Sequence, residues 1–135
     1  MMKYAFDFHG VAQKYPAIFK PMMADLLKGG NKVTVLSGPK REQIEWELEQ
    51  AGYERDVHFN HILSVVDWLQ HQKDYKDAKF DLTQDEKGMW WTDHDTWWSS
   101  KAKICNEFGI EVMYDDQEAY SEYIVNERPV FFHVK

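Results

Sequence analysis

Residues Lys101–Asp116 read KAKICNEFGIEVMYDD. Lys101 to Phe108 has the composition of a helix, with Ser99-Ser100 offering an N-cap and Gly109 a stop. Ile110 to Tyr114 (IEVMY) is short and apolar enough for a strand, and it ends on Asp115-Asp116. A helix that runs through a glycine into a strand capped by two carboxylates is half of a βαβ unit. The fold turns on whether the rest of the chain repeats that rhythm.

It does, on both sides. Lys3 to Phe8 reads as a strand with Asp7 near its end. Tyr15 to Lys28 reads as a helix, with Ile18, Met22 and Leu26 on one row and Phe19, Met23 and Leu27 on the next, closed by Gly29-Gly30. Lys32 to Leu36 (KVTVL) is a β-branched strand running into Ser37-Gly38-Pro39. Arg41 to Ala51 is an amphipathic helix through Ile44, Leu48 and Ala51, and His61 to Val66 (HILSVV) a third strand. After Asp116, Gln117 to Val125 reads as a helix and Val130 to Val134 as a last strand. Strands alternating with helices predict an α/β, three-layer Rossmann-like domain with a mostly parallel central sheet, one domain over residues 1–135. Residues 67–98 carry charges and Trp pairs at 90–91 and 97–98 without a clear period, and are expected to form a small insertion or loop.

Composition narrows the function. Aromatic residues make up 16% of the chain, which argues against disorder. The net charge of -7 argues against binding along a nucleic-acid backbone, which rewards basic surfaces. A small phosphorylated ligand held through a metal stays compatible with that charge. One cysteine, Cys105, allows no internal disulfide and fits a reducing compartment. No run approaches a membrane span, and the opening MMKYAFDFHG lacks the apolar stretch of a signal peptide. The expectation is a cytoplasmic protein with no membrane contact.

The polar residues sit where a parallel sheet would use them. Asp7, Ser37 and Asp115-Asp116 all fall at strand C-termini, and in an open α/β sheet those ends share the edge where ligands bind. Carboxylates gathered there need a counter-charge. Mg²⁺, a hard cation that prefers oxygen, suits them, and Lys101 could supply a second positive charge. The Ser37 hydroxyl, with the backbone N–H groups after it at Gly38, could hold an oxyanion.

Taken together, Asp7-x-His9-Gly10-Val11, Ser37, Lys101 and Asp115-Asp116 resemble the motif series of the haloacid dehalogenase (HAD) superfamily, in order, spacing and strand placement across nearly the whole chain. The resemblance implies a Mg²⁺-dependent phosphohydrolase acting on a phosphorylated substrate. Asp7 would be the nucleophile, forming an aspartyl-phosphate, and also a metal ligand with the backbone carbonyl of His9. Ser37 and Gly38 would hold the transferring phosphoryl group, and Lys101 would neutralise charge between it and Asp7. Asp115 or Asp116 would complete the metal site. The segment from Asp7 to Ser37 holds one helix, so no cap domain fits there, and residues 67–98 leave room for a small helix and a loop. The resemblance is therefore to capless or minimally capped members, whose sites are open or closed by another subunit, and a homo-oligomer is one expectation.

Two features depart from that pattern or stand outside it. Family phosphatases read D-x-D, the second Asp protonating the leaving group, whereas this chain has His9. An imidazole can do that work near neutral pH. Alternatively, His9 marks a non-catalytic relative that keeps the metal site and only binds. A Rossmann-like scaffold without a phosphate site is the third reading, and a structure in which Asp7, Asp115 and Asp116 diverge would sink the other two. Lys103 competes with Lys101 for its role, and Asp116 could be a helix cap that leaves Asp115 as the ligand. The stretch MWWTDHDTWW, residues 89–98, either forms an aromatic wall for a base or sugar, or covers the sheet edge or a partner subunit. His58, His61 and His94 are expected in surface or packing roles, and Cys105 in the core.

Overall fold

A computed structural model describes residues 1–125 and 127–135. Five strands form one parallel sheet: β1 (Lys3–Phe6), β2 (Lys32–Ser37), β3 (His61–Ser64), β6 (Val112–Asp115) and β7 (Val130–His133), in the order β3-β2-β1-β6-β7. A two-stranded antiparallel hairpin, β4 (Thr83–Gln84) and β5 (Trp90–Trp91), lies apart from it. The helices are α1 (Pro16–Lys28), α2 (Arg41–Gln50), α3 (Val65–Tyr75) and α4 (His94–Phe108). The expected three-layer architecture is present, and every pairing in the main sheet is parallel.

Alternation along the strands separates the two cores. Phe6, Val33, Val35 and Ile62 pack with Phe19 and Met23 of α1 and Ile44 and Leu48 of α2. Ala5, Leu36 and Met113 face the other way, against Val65 and Leu69 of α3 and Ile104 and Cys105 of α4. Each strand residue thus serves one layer, as the two-residue repeat of a strand requires. Phe6 stacks on Tyr114 at 4.9 Å between ring centroids and meets Phe19 edge-on at 5.9 Å. These contacts tie β1 to β6 and to α1 at the strand ends that carry the carboxylates. Among the described residues no helix is long and apolar enough to cross a membrane.

Several boundaries differ from the sequence expectation, each for a local reason. Strand β1 stops at Phe6 rather than Phe8, because the Asp7 carboxylate accepts the Phe8 N–H and turns the chain out of the sheet. Strand β3 stops at Ser64. Its hydroxyl accepts the Asp67 N–H at 3.1 Å and caps α3, so Val65 and Val66 open a helix despite their β-branched side chains. The 67–98 segment is therefore no single loop: it holds most of α3, the hairpin and the first turn of α4. Helix α4 begins at His94, capped by Asp93, which accepts from Thr96 N at 3.0 Å. Ser99 and Ser100 are not its N-cap. They are buried inside the helix, and their hydroxyls donate back to Thr96 O and Trp97 O. The expected Gln117–Val125 helix is a short 3₁₀ segment, Glu118–Tyr123.

The chain winds outward from β1 to β2 and β3, then returns to lay β6 on the opposite side of β1. The switch point of the sheet therefore lies between β1 and β6, the place where open α/β sheets leave a crevice at their carboxyl ends. Phe6 is in register with Tyr114, which sets Asp7 beside Asp115.

Candidate functional site

Asp7 leaves the sheet with its N–H still donating to Tyr114 O at 2.9 Å, so its position is fixed by β6. The chain then makes a tight turn. His9 sits at φ -68°, ψ 129° and Gly10 at φ 79°, ψ -7°, the dihedrals of a type II turn, which demands glycine at its third position. A second constraint acts at the same glycine, because a Cβ there would collide with the Asp116 carboxylate. Gly10→Ala is expected to cost about 1–2 kcal/mol from the left-handed backbone alone. It should also displace Asp116 and weaken divalent-cation binding. Urea unfolding and cation titration of the variant check the two effects, and a variant matching wild type in both would refute the steric account.

The three aspartates converge. Carboxylate oxygens of Asp7, Asp115 and Asp116 lie within 4.8 Å of one another. Lys101, only 1% exposed, reaches up from α4 between two of them, with Nζ 2.5 Å from Asp115 Oδ2 and 3.4 Å from Asp7 Oδ1. The ammonium also lies over the Tyr120 ring, 4.5 Å from its centroid. Gln117 N donates to the other oxygen of Asp115 at 2.9 Å, which holds that carboxylate in place.

One ammonium does not neutralise three carboxylates in a dry site. Burial pushes the Asp7 carboxyl up from its ordinary 3.8 to about 7; Lys101 pulls it down, and Asp115 and Asp116 push it further up. Burial likewise raises Asp115 above the usual carboxylate range, against the pull of Lys101. For Lys101, burial favours the neutral amine, but Asp7 and Asp115 outweigh it and hold the proton on. The cluster thus carries an uncompensated negative excess. Its donors are all carboxylate oxygens, which is the set that hard divalent cations take and soft transition metals do not favour.

Asp7, His9, Ser37, Gly38, Lys101 and Asp116 line one open cleft of about 190 Å³. Asp115 lies beneath it, fully buried. Ser37 is 1% exposed, and among the described residues its hydroxyl has no hydrogen-bond partner, although it lines the cleft. Lys101, not Lys103, reaches the carboxylates; Lys103 lines a different recess beyond α4. Both Asp115 and Asp116 belong to the cluster.

Some contributors were not visible in the sequence. Glu47 of α2 places Oε2 2.9 Å from His9 Nε2, a close contact that is not hydrogen-bonded in geometry. Helical periodicity marks Glu47 only as a residue near the core face beside Leu48, and nothing in the sequence pairs it with His9. Trp97 and Tyr120 form a wall of the cleft. A Cβ on Gly38 would stand 3.1 Å from the Trp97 ring, so glycine there lets the indole close over the Ser37 loop. Trp90 and Met89 of the hairpin line an adjoining recess that shares Gly38, Pro39 and Trp97. The Trp-rich stretch is thus divided: Trp97 faces the cleft, Trp98 packs on Tyr120 at 4.7 Å, and Trp91 is 59% exposed. His58 accepts the Glu54 N–H in a local turn, His94 is exposed, and Cys105 is buried in the core, all outside the cleft.

No protein-family model, curated protein or solved structure shows a significant match to the chain.

Proposed function

We propose that the chain is a Mg²⁺-dependent phosphohydrolase of HAD-like type, acting through an aspartyl-phosphate on Asp7. The observation that carries this reading is the meeting, at one strand edge, of an acidic cluster, a buried lysine and an unpartnered buried serine hydroxyl. A simple fold scaffold needs none of these and loses stability to them.

The residues fit the metal by their chemistry. Asp7, Asp115 and Asp116, with the backbone carbonyl of His9, would hold Mg²⁺, and bound there it would offset charge on the phosphoryl oxygens. Asp7 attacks phosphorus, forming a carboxyl–phosphorus bond as the bond to the leaving oxygen breaks. Lys101 compensates the negative charge beside Asp7, and the Ser37 O–H donates a hydrogen bond to a phosphoryl oxygen. His9 gives a proton to the leaving oxygen. In the second half it takes one from the water that releases phosphate. The single cysteine, which can form no internal disulfide, fits a reducing, cytoplasmic setting.

A second reading, a binding relative that does not turn over, is favoured by one observation: the His9 ring is drawn to Glu47 on α2. Hydrolysis of a generic aryl phosphate decides between them. Mg²⁺-dependent turnover is expected, with His9→Ala about 10²–10⁴-fold slower. The loss should be milder with an activated leaving group, which needs no proton. An inert wild type whose His9→Asp variant gains turnover would establish the binding relative instead. Wild-type activity untouched by His9→Ala would reject the role given to His9.

A further inference from the structure

We propose a second binding site, for a compact organic polyanion of the nucleoside diphosphate kind, at the opposite end of the sheet from the carboxylates. Its walls come from the first residues of the strands. Lys3 of β1, Lys32 and Thr34 of β2, and His61 of β3 stand on one side of the sheet by the two-residue alternation of strands, and Arg41 at the start of α2 joins them. The recess they line with Phe108 holds about 320 Å³, the scale of a small-ligand pocket.

Its charge is opposite to that of the chain. The protein has 23 acidic against 16 basic residues, yet among the described residues no carboxylate lines this recess. Among the described residues Lys3, Lys32, Arg41 and His61 make no ion pair. The nearest acids meet the backbone of the lining residues and not their cationic groups: Glu111 accepts the Lys3 N–H and pairs with Arg128, Asp67 accepts the Arg41 N–H, and the Lys3 ammonium donates only to Phe108 O. Scattered surface lysines need no ligand. Here the cations share one concavity, and their repulsion is relieved by a guest with at least two negative charges. His61 registers the crowding. Partial burial lowers its pKa, and Lys32, Arg55, Lys3 and Arg41 lower it further.

The recess also asks for an apolar or planar body on that guest. Thr34 and Ile110 close the floor, and the Phe108 ring is left 42% exposed at its side. Inorganic phosphate or pyrophosphate would satisfy the cations and leave this surface wet. A polyanion that carries a ring would use both.

The test is calorimetric titration of the full chain in EDTA with ADP, pyrophosphate and adenosine. Without a divalent cation the carboxylate cluster repels anions, so the cleft does not compete. ADP is expected to bind more tightly than either fragment, to shift the His61 ring resonances, and to bind at least tenfold more weakly to the Lys32→Ala/Arg41→Ala variant. Arg41 is exposed and Lys32 half-buried, and the charge-conserving Lys32→Arg/Arg41→Lys variant should retain binding, which separates charge loss from misfolding. No ADP binding at millimolar concentration, equal affinity for pyrophosphate, or affinity unchanged in the double alanine variant would each overturn the site.

Discussion

Lys101→Met is expected to lower the stability of the metal-free protein by about 3–5 kcal/mol, the usual cost of removing one partner from a buried ionic group. Methionine fills most of the lysine volume, so little of the loss comes from a cavity. What remains is Asp115 at 0% exposure and Asp7 at 7%, with no cation between them. Their carboxyls, already raised, will rise further, and a raised acid favours folding below its titration and loses that contribution as pH climbs through it. The variant should therefore regain stability between pH 8 and pH 5, where wild type changes less. Mg²⁺ should stabilise it more than it stabilises wild type, because the cluster has lost its internal cation. Urea unfolding at several pH values, with and without Mg²⁺, measures all of this. Lys103→Met, on the far side of α4, serves as control and should stay within about 0.5 kcal/mol of wild type. A Lys101→Met midpoint equal to that of the control would mean that the buried ion pairs contribute nothing.

Asp7→Asn should act in opposite directions on activity and stability. If Asp7 is the nucleophile, turnover should fall roughly 10⁴–10⁶-fold, as when other covalent nucleophiles are removed. The metal-free protein should meanwhile become about 1–3 kcal/mol more stable at pH 8. The amide keeps an oxygen for the Phe8 N–H and no longer adds a charge beside Asp115 and Asp116. The sign with pH follows from the Asp7 value of about 7 against 3.8 in the unfolded chain. Well below pH 4 the carboxyl is protonated in both states, and variant and wild type should converge towards that limit. The gap should open as pH rises and level off above 7. Thermal unfolding in EDTA from pH 4 to 8 checks it. A gap independent of pH, or a less stable variant at pH 8, would count against the electrostatic account.

What could be read from the residues depended on how local the cause was. The strands β1, β2 and β6 announce themselves by short apolar runs, and the residues that close them, Asp7, Ser37 and Asp115-Asp116, needed only a parallel sheet to be brought together. Lys101 required more, since its neighbour Lys103 has the same chemistry and only the rotation of α4 in the fold separates them. The α3 boundary was misread because Val65-Val66 has the composition of a strand, although Ser64 and Asp67 at cap spacing were there to be seen. The start of α4 was hidden by aromatic residues whose burial depends on the hairpin and the cleft, not on a helical repeat. The Glu47–His9 contact joins a turn after β1 to the middle of α2, and no local pattern encodes it.

The placement of β1 at the middle of the sheet has a consequence for biosynthesis. Its partner on one side, β2, follows it closely in the chain, but its partner on the other side, β6, is made near the end. As the polypeptide emerges, β1 to β3 can pair while the second edge of β1 stays open, with its peptide groups unanswered. Asp7 then hangs at the rim of an incomplete sheet without Asp115 or Lys101. The half-made sheet is at its stickiest, and the arrival of β6 closes that edge and brings Asp115 beside Asp7 in one step.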